Sequence, residues 1–123
     1  MYQNILWVFL GGGLGSVLRY GISKNLYPFF ENYFLSTLTV NLIGSFLIGL
    51  FIGFEIKYIL QKPLMMFLVV GFCGGFTTFS TFALENYNLL KSGEYLLAFI
   101  YIISSIVVGI LAVGFGFFVA KQI

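Results

Sequence analysis

Gly71-Phe72-Cys73-Gly74-Gly75-Phe76-Thr77-Thr78-Phe79-Ser80-Thr81-Phe82 is the stretch on which the fold turns. It lies inside Pro63–Leu84, an uncharged segment long enough to cross a bilayer, which takes about 20 residues. Two adjacent glycines and four hydroxyl residues suit a lipid-facing helix poorly. Glycine loosens the helix, and Ser and Thr compete for its backbone hydrogen bonds. Irregular backbone at membrane depth survives only where protein buries it or where it lines a cavity. The run therefore predicts a helix broken at residues 74–78 and a polar site inside the membrane.

Composition points the same way. Of 123 residues, 60% are hydrophobic and 8% charged, whereas soluble domains are about a quarter charged. A soluble fold of this size has nowhere to bury so much apolar surface. The expected fold class is all-α integral membrane, as a single four-helix domain over residues 1–123. Met1–Leu18, Asn32–Phe54, Pro63–Leu84 and Tyr95–Ala120 contain no Asp, Glu, Lys or Arg. The first continues past Arg19, so the spans are expected at about residues 3–22, 33–54, 63–84 and 95–120. Ser23–Glu31, Glu55–Lys62 and Glu85–Glu94 are the expected connections. No basic n-region and no clear small-residue cleavage site precede Arg19, so the N-terminus does not read as a cleaved signal peptide. A single cysteine, Cys73, excludes an internal disulfide, and the lack of histidine argues against a Cys/His metal centre. The net charge of +2 comes with no basic patch suited to nucleic acid.

Four spans place both termini on one side, together with Lys57, Lys62 and Lys121. The other side carries Lys24 and Lys91, with Arg19 near its edge. Positive charge is thus nearly balanced, and the positive-inside rule gives almost no orienting bias. Either a few charges or the insertion machinery decide the orientation, or the chain inserts both ways and pairs with an inverted copy of itself. Four short helices are few to enclose a pathway, so an oligomer is expected in both cases.

Helical spacing sorts the polar residues into faces. Gly12, Gly15, Ser16 and Arg19 share one face of the first span, and Gly11 with Gly15 makes a small-xxx-small pair for close helix approach. Arg19 costs about 2.5–3.5 kcal/mol near a helix centre and less near an end. It either snorkels to the interface or sets a positive charge at a pore mouth. Thr37, Asn41 and Ser45 line one face of the second span, where Asn41 is the only interior amide or ionisable side chain. An unpaired amide in hydrocarbon is expensive, so Asn41 faces protein, water or a ligand. It is an interhelical hydrogen bond or a donor to a permeating ion. In the third span Phe79 and Phe82 share a face among Thr78, Ser80 and Thr81. Such aromatics usually pack or face lipid, but their electropositive edges also suit a small anion. Carbonyls freed near Gly74 and Thr77 suit a hard cation such as sodium. Glu85 follows Phe82 by three and either extends that polar face or is a solvated helix-end carboxylate. In the fourth span Tyr101 and Ser105 form a hydroxyl track, while Ser105, Gly109, Ala112 and Gly116 also read as a packing seam.

With these residues in place, the sequence resembles the Fluc (CrcB) family of small fluoride channels over nearly its whole length. The resemblance rests on Gly11-Gly12-Gly13-Leu14-Gly15-Ser16-Val17-Leu18-Arg19-Tyr20, Thr37-Leu38-Thr39-Val40-Asn41-Leu42-Ile43-Gly44, the run Gly71–Phe82, and Tyr101 followed by Ser105. The third motif is highly specific, whereas the Gly-rich first motif alone is weak. The resemblance implies a passive fluoride-selective channel built as an antiparallel, dual-topology homodimer with two pores along the dimer interface. By motif position, Asn41 is then the pore-lining donor, and Phe79 and Phe82 are the paired phenylalanines facing fluoride. Tyr101 and Ser105 form the polar track, and Arg19 sits near a pore entrance. Thr37, Ser80, Thr81 and Glu85 complete the candidate pore set. A structural Na+ on the dimer axis takes main-chain carbonyls, here Gly74 and Thr77 from each subunit. The family often places a further serine one turn after the track, where this chain has Gly109. The implied partners are fluoride, sodium, membrane lipid and a second copy. The implied location is the plasma (inner) membrane of a prokaryote, where export of fluoride down its gradient lowers toxicity.

Two other classes compete. A small multidrug exporter is also short and four-helical, but needs an embedded glutamate early in the chain, where this sequence has Arg19. A structural subunit without a pore would use the glycines for packing and Asn41 as a clamp. An enzyme is the least supported class, since the spans assemble no nucleophile–base pair or metal cluster.

Overall fold

The computed structural model describes residues 1–29 and 33–123, and those residues contain helices and turns but no strand. Chain this apolar must satisfy its backbone internally, which a helix does within one segment. α1 (Tyr2–Leu26), α2 (Tyr33–Tyr58) and α6 (Tyr95–Gln122) are continuous helices. The third span is composite. It runs through α3 (Lys62–Met65), a π-helical stretch over Met66–Cys73, α4 (Gly74–Phe76) and α5 (Phe79–Lys91). Pro63 sits in the first turn of α3, where its missing N–H costs nothing. Four segments, Tyr2–Phe29, Phe34–Tyr58, Lys62–Lys91 and Tyr95–Gln122, are long and apolar enough to cross a membrane. The chain is a multi-pass membrane protein.

The helices outrun the uncharged stretches. Residues 55–58 and 85–91, expected in connections, are helical, and α1 continues to Leu26 before a short 3-10 turn over Tyr27–Phe29. A charged head can reach the interface while its backbone stays coiled, so the first charge does not end a helix. Glu31 and Asn32, at the expected end of the first connection and start of the second stretch, lie outside the described residues.

Two parallel helix pairs make the frame: contacts advance together from Phe34–Tyr101 to Gly53–Ala120 in one and from Gly11–Phe67 to Arg19–Gly75 in the other. α2 lies along α6, and α1 lies along the π-helical stretch and α4, with α5 leaning on α6 and α2. Both pairs meet backbone to backbone. A Cβ on Gly49 would overlap the Val113 carbonyl oxygen, and one on Gly116 would overlap that of Phe46. On the other pair, a Cβ on Gly15 would overlap the Phe72 oxygen, and one on Gly75 the Gly12 oxygen. Small residues permit this approach where no hydrophobic effect drives helices together. Val40, Phe76 and Tyr101 are the largest fully buried side chains, one each from α2, α4 and α6.

Candidate functional site

The site is built around two extended residues. Helical geometry ends at Phe76; Thr77 has φ −87° and ψ 158°, Thr78 has φ −142° and ψ 122°, and α5 begins at Phe79. Gly74 and Gly75, expected inside the break, are helical; the interruption is confined to Thr77 and Thr78. Asn41 explains the position. Its Oδ1 accepts from the Thr78 amide at 2.8 Å, and its Nδ2 donates to the Thr78 carbonyl at 3.1 Å. The Thr78 hydroxyl then caps α5 by accepting from the Thr81 amide at 3.3 Å. On the preceding side, the Thr77 amide and hydroxyl both donate to the Cys73 carbonyl, at 3.0 and 2.9 Å.

Arg19 does not snorkel away. Its Nε donates to the Gly75 carbonyl at 3.1 Å, and Ser16 Oγ lies 3.5 Å from the same oxygen and donates to Gly12 at 2.8 Å. A cation at the carbonyl end of a helix is favourably placed against its dipole. The carbonyls of Gly74 and Thr77 fare differently. The amides that an unbroken helix would aim at them belong to Thr78 and Thr81. Those two amides are turned to Asn41 Oδ1 and to the Thr78 hydroxyl.

Hollows open on both sides of Thr78. One, about 220 Å³, is lined by Arg19, Ser36, Thr37, Thr78, Thr81 and Glu85 among others. The second, about 300 Å³, is lined by Asn41, Ser45, Thr77, Thr78, Phe79, Phe82, Ser105 and Ile106. Tyr101 stands between the groups. Its hydroxyl donates to Glu85 Oε1 at 3.1 Å, and its ring meets Phe82 edge to face with centroids 5.0 Å apart. The Phe34 ring lies against it at 5.0 Å, and Phe79 and Phe82 are 5.9 Å apart. Phe79 is 78% exposed on this single chain, and Ser80 is exposed beside it. Ser105 Oγ, one turn past Tyr101, is buried with no hydrogen-bond partner. Gly74 and Thr77 line a third hollow of about 410 Å³ with Gly44, Ser45 and Cys73.

Ser80 and Tyr101 line none of these hollows; the other candidate residues fall into three neighbouring groups, with Thr77 and Thr78 at the joins. Thr78 itself was not singled out from the sequence, although a threonine directly before an apolar helical run is a recognisable N-cap signal. Ser45 gains weight from Gly109: a Cβ at Gly109 would stand 3.9 Å from Ser45 Oγ, so α2 supplies a hydroxyl where α6 lacks one. Asn86, placed by sequence in a connection, is buried on α5, with Nδ2 donating to Phe82 at 2.9 Å and Oδ1 unpaired.

The sequence matches known proteins over almost all of its length. Residues 6–117 match the family model described as CrcB-like protein, Camphor Resistance (CrcB). A protein of Bacteroides fragilis named fluoride-specific ion channel FluC is 44% identical over 124 residues, covering 98% of each chain. Proteins of the same name from Gloeothece citriformis and Pyrococcus abyssi are 47% identical over 120 residues and 43% over 125. Those alignments cover 97% and 98% of this chain and 98% of each relative. By family model and by relatives matched almost end to end, this chain belongs to the CrcB-like family.

Proposed function

We propose that this chain is a passive fluoride channel, working as an antiparallel, dual-topology homodimer with two pores. The observation that carries the reading is the buried, unpartnered Ser105 hydroxyl facing the same hollow as the Asn41 amide and the Phe79 and Phe82 rings. Fluoride is small and strongly hydrated. Amide and hydroxyl donors plus ring edges can replace its water shell with several weak partners and still release it. Asn41 spends one Nδ2 hydrogen on Thr78 and has a second to offer the hollow. Ser45 extends the donors past Gly109, and the hollow of Arg19, Thr37, Thr81 and Glu85 forms the wider mouth. Gly74 is exposed on a single chain beside the opened backbone of Thr77 and Thr78, and irregular backbone at membrane depth is kept against protein or a cavity rather than lipid, which supports the second copy.

A structural Na+ at the dimer centre fits the donor set. Gly74 and Thr77 carbonyls lack the amides an unbroken helix would supply, and hard cations take such oxygens. When bound, sodium would supply a fixed positive charge linking the two subunits. Fluoride then leaves the cytoplasm down its gradient across the plasma (inner) membrane of a prokaryote, lowering fluoride toxicity.

The test is fluoride efflux from proteoliposomes, read with a fluoride electrode against a chloride control. Fast fluoride efflux without chloride leak, lost in Phe82→Ile, is the expected result. One observation favours a second reading: both polar atoms of the Asn41 side chain bond the Thr78 backbone, as a structural clamp would. A well-folded dimer that passes no fluoride would select that pore-less subunit.

A further inference from the structure

We infer that Asn41 is a positioning residue that keeps the third span broken and so holds the Gly74 and Thr77 carbonyls available to a cation; the inference rests on the sodium reading above. In an uninterrupted helix the Thr78 amide bonds the carbonyl four residues back, that of Gly74. Here it is captured by Asn41 Oδ1 at 2.8 Å, while Nδ2 returns a bond to the Thr78 carbonyl at 3.1 Å. The side-chain amide lies along the Thr78 peptide as an adjacent strand would, and Thr78 is correspondingly extended, with φ −142° and ψ 122°.

Neighbouring contacts seat the same segment. Gly44, three residues past Asn41 on α2, leaves the space that Thr77 fills: a Cβ there would overlap Thr77 Cγ2 and come within 3.2 Å of Phe76 Cδ1. Arg19 Nε holds the Gly75 carbonyl at 3.1 Å. Among these groups Asn41 alone competes for the amide that would close over Gly74. Without it, two backbone groups at membrane depth lose their partners, and coiling through residues 77 and 78 is the direct way to satisfy them. That coil gives the Gly74 carbonyl a donor and turns the Thr77 carbonyl along the helix axis, withdrawing both. Asn41 also faces the hollow of Phe79 and Phe82, so one amide serves the backbone and an anion at once.

The experiment is thermal unfolding of the purified dimer in detergent, with sodium titrated against N-methyl-D-glucamine at constant ionic strength. Wild type is compared with Asn41→Leu, which keeps the shape without the hydrogen bonds, with Asn41→Ser, and with Ser105→Ala. The expected result is a sodium-dependent midpoint in wild type and Ser105→Ala. In both Asn41 variants the half-saturating sodium concentration should rise at least about tenfold, the loss expected from one net hydrogen bond or more. An unchanged half-saturating concentration in both Asn41 variants would overturn the role of Asn41 and leave the sodium site standing. A wild-type dimer indifferent to sodium would remove the site and this inference together. If neither Asn41 variant forms a dimer, amide exchange of wild type without sodium decides: protection of the Thr78 amide supports the clamp, and exchange at the rate of free peptide overturns it.

Discussion

Gly49→Ala tests the frame on which the site hangs. The new Cβ would overlap the Val113 carbonyl oxygen and lie 2.9 Å from Val113 C and 3.1 Å from the Phe117 amide nitrogen. Ordinary contacts of this kind begin at about 3.5 Å, so α2 and α6 must separate by roughly 1 Å along the seam. A gap of that size forfeits a quarter to a half of the dispersion energy of the contacts it opens, and overpacking of this kind typically costs about 1–3 kcal/mol. Because the atoms struck are backbone, the upper figure applies. Alanine returns about 1 kcal/mol of helix propensity, which leaves a net loss of roughly 2 kcal/mol. Gly114→Ala is the matched control on α6: nothing lies within 4 Å of a Cβ there, and the same propensity gain should leave it equal to wild type or slightly more stable. Unfolding of both variants by denaturant titration in mixed micelles reads the difference directly. Equal stability of the two variants would refute the claim that a backbone-to-backbone seam joins α2 and α6.

Tyr101→Phe keeps the ring against Phe82 and Phe34 but removes the donor to Glu85; a stability loss of about 1–3 kcal/mol by thermal unfolding and slower fluoride efflux are expected. Arg19→Gln loses the bond to the Gly75 carbonyl, and the expected loss of about 1.5–3 kcal/mol should be recovered only partly by Arg19→Lys, whose ammonium lacks the planar fork. Ile59→Gly relieves a branched residue held at φ 51° and 87% exposed; its melting point should rise by the equivalent of about 1 kcal/mol, and a fall would show that the Ile59 side chain is needed.

The four spans were legible because each is a long uncharged run, and length against bilayer thickness is a local property. The break was legible only as a neighbourhood. Gly74 and Gly75 look like the breakers, yet both coil, and Gly75 is there because the Gly12 backbone comes too close for a Cβ. The residues that open are Thr77 and Thr78, and the amide that opens them belongs to Asn41, 37 positions away. Arg19 and Gly75 are 56 apart, so their bond was equally out of sight. The candidate pore residues could be named by face and motif. Their division into hollows on either side of Thr78 needed the third span to be bent first. The π-helical stretch over Met66–Cys73 left no trace in composition; of its residues only Gly71 marks the close approach to α1, and a glycine does not announce which helix type it sits in.

The two glycine seams also limit how such a molecule can move. Helices separated by side chains can slide, since rotamers give way one at a time. Where carbonyl oxygens sit in the space a Cβ would need, as at Gly15, Gly49, Gly75 and Gly116, there is no soft layer to deform. Each pair therefore moves as one stiff unit, and the hollow of Asn41, Phe79, Phe82 and Ser105 lies where α2 and α6 face the third span, so widening it shifts one element against another rather than opening a seam. Bending within a pair is costly, so strain arriving at one end of a pair is carried to its other end almost undiminished.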